Sequence, residues 1–305
     1  MKKIYIYFKE TESFLPETKA YLEYLESRGF IVSFGSDIKE AREFDLVIIY
    51  FGFIPFWKFK GFKRSQLIGE YHSLSTGSYP ILKNLLKRLF NVKCGRYIFL
   101  NESVRKGYFF TRATKKIYRP MGFDSQLANH YKKSHKKYHF VYCGSLNRTG
   151  VIEYLKKIDS LGYSIIVIGN SEQDKRKLQS TRIVFKGRLD RDDCYFYMSQ
   201  AVAGINYTPV SYPFYLQDST KVKEYLGLGL MVLTNSYHWV DKFLLEVDSE
   251  FFYFDDLFEK GRISSINVDT DLSELKNINS GSEISDHSWS EILRKCNFIN
   301  FLNQS

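Results

Sequence analysis

Cysteine is scarce and scattered. Cys94, Cys143, Cys194 and Cys296 stand far apart in 305 residues, with no C-x-x-C pair and no cysteine–histidine spacing of a zinc module. This excludes a disulfide-framework fold and a structural zinc site, and it implies the reduced, mostly buried thiols of a cytoplasmic protein. Long apolar runs are missing too, since none approaches the ~20 residues of a membrane-crossing helix. The opening MKKIYIYFKE is basic, but its apolar part is too short for a secretory leader and ends in charges. Ile4–Phe8 therefore reads as a first β-strand. Acidic residues run short on one side only. Residues 1–137 hold 26 Lys+Arg against 12 Asp+Glu, and the remainder 18 against 22, which together give the net +10. A basic half beside a mildly acidic one points to an anionic partner for the basic half, such as membrane lipid or a phosphorylated substrate. Nucleic acid is not expected, because the surplus lies away from any recognised nucleic-acid module.

Apolar and aromatic residues are plentiful, at 44% and 17%, enough for sizeable cores in two domains of about 150 residues each. Strand-like and helix-like segments alternate throughout. KIYIYF, FIVSF, FDLVIIYF, QLIGEYH, RYIFLN and KKIYRP read as strands, interleaved with helices over Leu15–Arg28, Ile81–Phe90 and Ser103–Thr111. Their apolar runs are continuous rather than alternating, as in a parallel sheet covered on both faces. The polar, lysine-rich SQLANHYKKSHKKYH then interrupts the pattern and reads as a linker over 124–137; its histidines lack carboxylate company and read as solvated. HFVYCG, YSIIVIG, RIVFKG, AVAGINY and LMVLTN restart the strands, with helices over Gly150–Leu161, Glu172–Gln179, Arg191–Gln200 and Thr220–Leu228. The expected architecture is α/β, with two doubly wound Rossmann-like domains facing a central cleft. Residues 1–123 form the first and 138–287 the second, and an amphipathic C-terminal helix over 288–305 packs back on the first.

Four segments carry candidate chemistry. In YCGSLNRTG a strand ends at Cys143, the chain turns at Gly144–Ser145, and Arg148 precedes a helix start, an arrangement suited to phosphate. In FKGRLDRDD, Lys186, Gly187 and Arg188 follow a strand and are expected to line the same cleft. Asp190-x-Asp192 has a metal-binding spacing, but Asp190 sits where a helix cap belongs, so no metal site is expected. In STKVKEYLGLGLMVLTN, Ser219 and Thr220 offer hydroxyls at a helix start and Lys221 sets a cation beside it. Glu224 lies a turn further in, where a carboxylate can accept from a ribose diol, and Gly227 or Gly229 supplies the left-handed stop. IGEYHSL places Glu70 and His72 at a strand's carboxyl end, where a histidine can orient a reacting hydroxyl. FIPFWKFKGFKR interleaves aromatics with charge: Trp57, Lys58, Lys60, Lys63 and Arg64 suit an acceptor glycan or an anionic membrane surface.

TKVKEYLGLGLMVLTN resembles the donor-site segment of GT-B glycosyltransferases of the family-4 type, whose helix reads K-x-x-E-Y-L-A-x-G-x-P-V-V-x-T. YRPMGFD resembles that family's P-x-G-[VF]-D, YCGSLNRTG its x-G-R-L-x-x-x-K-G, and IVFKGRLDRDD the strand and loop before its base-contacting helix. The similarity runs in order over residues 95–240. It implies Glu224 at the donor ribose, with Lys221, Arg148 and Gly144–Ser145 at the diphosphate. Lys186–Arg188 would lie near the base, and His72 near the donor sugar. Three positions depart from the pattern: Leu216 stands where the family's first paired glutamate would be, Ser145 replaces an Arg, and Met231 replaces a Pro.

The resemblance implies a metal-independent glycosyltransferase acting with retention, His72 orienting the reacting groups; inversion, with Glu70 or His72 as the catalytic general base, is the other outcome these residues allow. Its co-substrate would be a UDP- or GDP-type nucleotide sugar, with no further cofactor, and its acceptor a glycan or lipid-linked molecule of surface polysaccharide synthesis. Such an enzyme is expected in the cytoplasm, at the inner membrane face. A nucleotide-sugar epimerase or hydrolase of the same fold and a non-catalytic nucleotide-sugar-binding protein are the alternatives.

Overall fold

The interior strands are mostly apolar and buried at every position, as a parallel sheet covered on both faces requires. Leu46–Tyr50 and Leu67–Tyr71 are such strands in one sheet, Ile165–Ile168 and Ala201–Asn206 in another. The computed structural model describes residues 1–9, 15–148, 150–169, 176–260, 266 and 282–304. They fall into two units: Met1–Met121 with Leu216–Asp218 and Trp289–Ser305, and Gly122–Tyr215 with Ser219–Ser288.

The first unit holds β1 (Lys3–Tyr7), β2 (Ile31–Gly35), β3 (Leu46–Tyr50), β4 (Leu67–Tyr71), β5 (Arg96–Phe99) and β6 (Lys116–Tyr118). They form one parallel sheet in the order β2-β1-β3-β4-β5-β6. Ile4, Ile6, Ile48, Ile68 and Ile98 project from one face onto Tyr21 and Leu25 of the Pro16–Glu26 helix and onto Leu293, Phe298 and Phe301 from the chain's end. Lys2 Nζ donates to the Leu302 carbonyl at 2.8 Å, and the Tyr21 and Phe298 rings lie 4.7 Å apart.

The second unit holds β7 (Tyr138–Cys143), β8 (Ile165–Ile168), β9 (Ile183–Gly187), β10 (Ala201–Asn206), β11 (Met231–Thr234) and β12 (Phe251–Tyr253), parallel throughout in the order β12-β11-β10-β7-β8-β9. Successive residues of β7 enter opposite cores, Val141 on one face and Phe140 with Tyr142 on the other. Gly204 in β10 has a packing reason for lacking a side chain, because a Cβ there would lie 2.1 Å from the Tyr225 ring. That ring's hydroxyl accepts from the Cys143 amide at 3.1 Å and so ties the Thr220–Gly227 helix to β7. Gly204→Ala should therefore displace the helix and cost about 1–3 kcal/mol, read as a lower denaturation midpoint in urea.

The structure corrects three sequence expectations. The segment 124–137 is not a plain linker: Ser125–Tyr131 is a helix of the second unit, capped by Asp124, which accepts from the Gln126 and Leu127 amides. Its Ala128 enters the core and the Tyr131 hydroxyl donates to Asp192 at 2.6 Å, so its basic surroundings hid an anchored inner face. The C-terminal helix is two helices, Trp289–Lys295 and Phe298–Asn303, parted where Asn297 adopts φ 56°. Leu216–Asp218 group with the first unit, where Asn101 Nδ2 donates to the Leu216 carbonyl at 2.9 Å. Of the helix expected over Glu172–Gln179, residues 172–175 lie outside the described residues.

Candidate functional site

The strand order of the second unit creates a switch point between β7 and β10. From β7 the chain passes into the Val151–Ser160 helix, which packs on one face of the sheet through Leu155 and Ile158. From β10 it reaches the Thr220–Gly227 helix, which packs on the other face through Val222 and Leu226. Both helices begin at the carboxyl ends of adjacent strands, where open α/β sheets bind ligands and helix N–H groups favour anions.

The residues at this point form a cationic turn. Gly144 ends β7 at φ 146°, and a side chain on it would approach Lys221 Nζ at 3.8 Å. Next to it, Gly169 donates its amide to the Gly187 carbonyl at 2.6 Å, and a Cβ on Gly169 would sit 3.4 Å from the Gly144 backbone. The ends of β7, β8 and β9 thus close up on glycines. Lys221, at the start of the Thr220–Gly227 helix, holds its ammonium over the Tyr142 ring at 4.8 Å from the centroid. Burial, aided by the neighbouring Arg148 charge, lowers its pKa to about 7. Tyr142 in turn donates its hydroxyl to the Ser145 carbonyl at 2.8 Å, fixing the turn.

The other residues expected at the donor are used in several ways. Ser219 caps the Thr220–Gly227 helix and donates to Asn206 Oδ1 at 2.9 Å, so its hydroxyl has structural work; Thr220 opens the helix half-buried. Glu224 is buried and meets Arg191 Nη1 at 2.6 Å. Although burial opposes it, the Glu224 carboxylate raises the Arg191 pKa. Arg191 was legible only as the middle of Asp190-Arg191-Asp192. Asp190 itself accepts from the Asp193 amide at 2.9 Å, the cap its position suggested. Lys186 lies over the Tyr197 ring at 4.4 Å, Gly187 takes φ 71°, and Arg188 is exposed. Of the two candidate stops, Gly229 takes the left-handed φ of 75°. Its amide bonds the Leu226 carbonyl and Leu230 bonds Tyr225, a Schellman closure. Gly227 instead admits the Phe123 ring, which a Cβ would meet at 2.5 Å.

In the first unit, His72 follows β4 and stands between two carboxylates. Its Nδ1 lies 3.0 Å from Glu17 Oε1 and its Nε2 2.9 Å from Glu70 Oε1. The Tyr50 ring packs edge-on against it at 4.6 Å. Glu70 and Arg119 are both fully buried and in direct contact, and the Tyr21 hydroxyl donates to Glu70 Oε1 at 2.9 Å. Burial alone would raise the Glu70 carboxyl, but Arg119 and His72 outweigh it and lower it to about 2. A carboxylate that so strongly resists protonation is a weak base and a poor general base, and Glu70 instead lies against His72 Nε2 as a fixed negative charge. Glu17, Tyr21 and Arg119 were not singled out from the sequence; no local spacing links them to His72.

Trp57 and Lys58 fall in a short 3-10 turn over Phe56–Phe59, followed by Lys60, Lys63 and Arg64, all exposed. Phe59 anchors the turn edge-on against Tyr7 at 5.1 Å. Among the described residues, no group of three or more His, Cys, Asp or Glu side chains is placed to hold a metal ion.

No protein-family model matches the chain, and no curated protein matches its sequence. Solved structures do match it in shape. The chain is similar to sucrose-phosphate synthase from Thermosynechococcus elongatus, at 13% identity over 98% of each chain and TM-score 0.69. It is similar to an E. coli trehalose-6-phosphate protein bound with UDP-2-fluoro glucose, at 10% identity over the whole of both chains and TM-score 0.65. AviGT4, a glycosyltransferase of avilamycin A biosynthesis, matches at 10% identity over 99% of this chain and 97% of its own, with TM-score 0.64. With its two six-stranded parallel sheets in Rossmann-like units, the chain has the GT-B fold.

Proposed function

We propose that the protein is a glycosyltransferase that takes a sugar from a UDP- or GDP-type nucleotide sugar, bound by the second unit. One observation carries the reading: the Lys221 ammonium lies at the Gly144 turn, on the switch point between β7 and β10, and the Arg148 charge is near enough to lower its pKa. Two cations and helix N–H groups there would neutralise the departing diphosphate, work that a metal ion does in other transferases. The E. coli protein of the same fold, bound with UDP-2-fluoro glucose, supports a donor of this class. Glu224 would accept from the ribose, sharing its carboxylate with Arg191, and Lys186–Arg188 would lie toward the base. Transfer would proceed with retention.

The acceptor is proposed to be a glycan or lipid-linked molecule of surface polysaccharide synthesis, met at the inner membrane face through Trp57, Lys58, Lys60, Lys63 and Arg64. His72, held between Glu17 and Glu70, would orient the reacting hydroxyl. His72→Ala should then slow transfer by roughly 100-fold while calorimetry finds donor affinity unchanged. Undiminished turnover would remove His72 from the reaction.

The reading is tested by incubating the protein with UDP- and GDP-sugars, with and without lipid-linked acceptors, and measuring nucleotide release and glycosylated product. Acceptor-dependent release supports it. Sugar loss without acceptor favours a hydrolase or epimerase, and binding without release favours a non-catalytic partner protein.

A further inference from the structure

The Pro80–Phe90 helix, PILKNLLKRLF, is inverted relative to an ordinary surface helix, which turns its apolar stripe inward. Its one fully buried side chain is Asn84, whose Oδ1 accepts from the Ser75 amide at 2.9 Å. Ile81, Leu82, Leu85, Leu86, Leu89 and Phe90 are all exposed, Leu89 by 57%. At about 100° per residue these six fill one half-circle centred on Leu89, and Lys83, Asn84, Lys87 and Arg88 fill the other.

The polar half is the half that docks. Arg88 stacks on the Phe110 ring at 4.3 Å, and Lys83 donates to the Thr76 carbonyl at 3.1 Å. Burial and, secondarily, Lys83 lower the Lys87 pKa. Lys93 reaches back to the Arg88 and Leu89 carbonyls at the helix end. Asn91 then accepts from the Ile54 amide at 2.9 Å and donates to the Gly52 carbonyl at 3.1 Å. The helix cannot roll its leucines inward without losing these bonds. The same bonds fasten it to the segment that exposes Phe53, Phe56 and Trp57, the last by 58%.

Charge identifies the occupant of this apolar face. Residues 46–101 contain nine Lys+Arg and a single acidic residue, Glu70, which is fully buried. A second copy of the chain would bring the same positive surface and be repelled. An anionic lipid bilayer offers both an apolar layer and negative headgroups. Eleven residues make only about 16 Å of helix, too short to cross, and among the described residues no helix is long and apolar enough to span a membrane. We infer that the Pro80–Phe90 helix is an interfacial anchor lying in the plane of an anionic membrane, its leucines below the headgroups and its flanking lysines at the lipid phosphates. The inference rests on the membrane-facing reading of the Trp57–Arg64 surface and is independent of the sugar chemistry.

The test is flotation of the full chain with vesicles of phosphatidylcholine alone or with about 30 mol% phosphatidylglycerol. Wild type should float with the anionic vesicles only. The Leu82→Gln/Leu85→Gln/Leu89→Gln variant should bind them at least about tenfold more weakly, with an unchanged melting temperature because these side chains are exposed. In a Leu89→Trp variant, the indole emission should shift to the blue on vesicles. If the triple variant floats like wild type, the helix is not the anchor, although the membrane reading survives. If wild type floats with neither vesicle, both fail and the glycosyl-transfer reading is untouched. An oligomer in light scattering that the triple variant dissolves would make a second copy the occupant and overturn the inference.

Discussion

Lys221→Met should reduce turnover of a nucleotide sugar about 100- to 1,000-fold, the usual loss when one preorganised charge-stabilising group is removed from a developing anion. The substitution keeps an unbranched side chain of similar length and deletes the ammonium, with its contact over the Tyr142 ring. Burial and Arg148 lower the pKa of that ammonium to about 7 from 10.5. A bound diphosphate would restore the charge, so binding near pH 8 should take up as much as about one proton per ligand. Calorimetry in buffers of different ionisation enthalpy reads that uptake directly, and Lys221→Met should abolish it. The fold responds with the opposite sign. Between about pH 7 and 10.5 the unfolded chain holds the proton that the folded one has released, so stability rises with pH across this window in the wild type. The variant lacks that rise. A lysine with a merely structural role would show no ligand-linked proton.

Arg119→Met should be the most destabilising single change in the first unit. It leaves the Glu70 carboxylate fully buried without its guanidinium partner, a loss of about 3–5 kcal/mol or roughly 10 °C of melting temperature. Arg119 also lies over the Trp289 ring at 5.3 Å, so the change loosens the returning C-terminal helix. Adding Glu70→Gln should recover most of the loss, because the uncompensated charge is what costs. Acid makes the same point. The Glu70 carboxyl sits at about 2 in the folded chain against an ordinary 4.5. Its contribution is complete above about pH 4.5 and disappears as pH falls toward 2. Wild type should weaken steeply over that window, and Glu70→Gln more shallowly.

What the sequence made legible was local. The continuous apolar runs marked the strands, and Asp190, Ser219 and Gly229 announced helix ends by chemistry that acts within a turn. Gly144, Arg148 and Lys221 could be gathered because each sits just past a strand or at a helix start, which the doubly wound order brings together. Partnerships between distant residues left no such trace. Arg119 reaches Glu70 across 49 positions, and Arg191 meets Glu224 from a different helix. The Ser125–Tyr131 helix was hidden because its basic composition resembles a linker, while its burial rests on Ala128 and a cap. The Pro80–Phe90 helix shows a further limit: periodicity tells which residues share a face, and only the docking of Asn84 shows that the apolar face points outward.

The central claim is that the turn at Gly144 with Lys221 and Arg148 is a nucleoside-diphosphate site. Titrating UDP and GDP by calorimetry into wild type and into a Lys221→Met/Arg148→Ala variant tests it most directly. Wild type should bind one of the two, the unphosphorylated nucleoside should bind at least about tenfold more weakly, and the variant should lose the diphosphate's advantage. Equal affinity of wild type and variant, or no binding of either nucleotide, would contradict it.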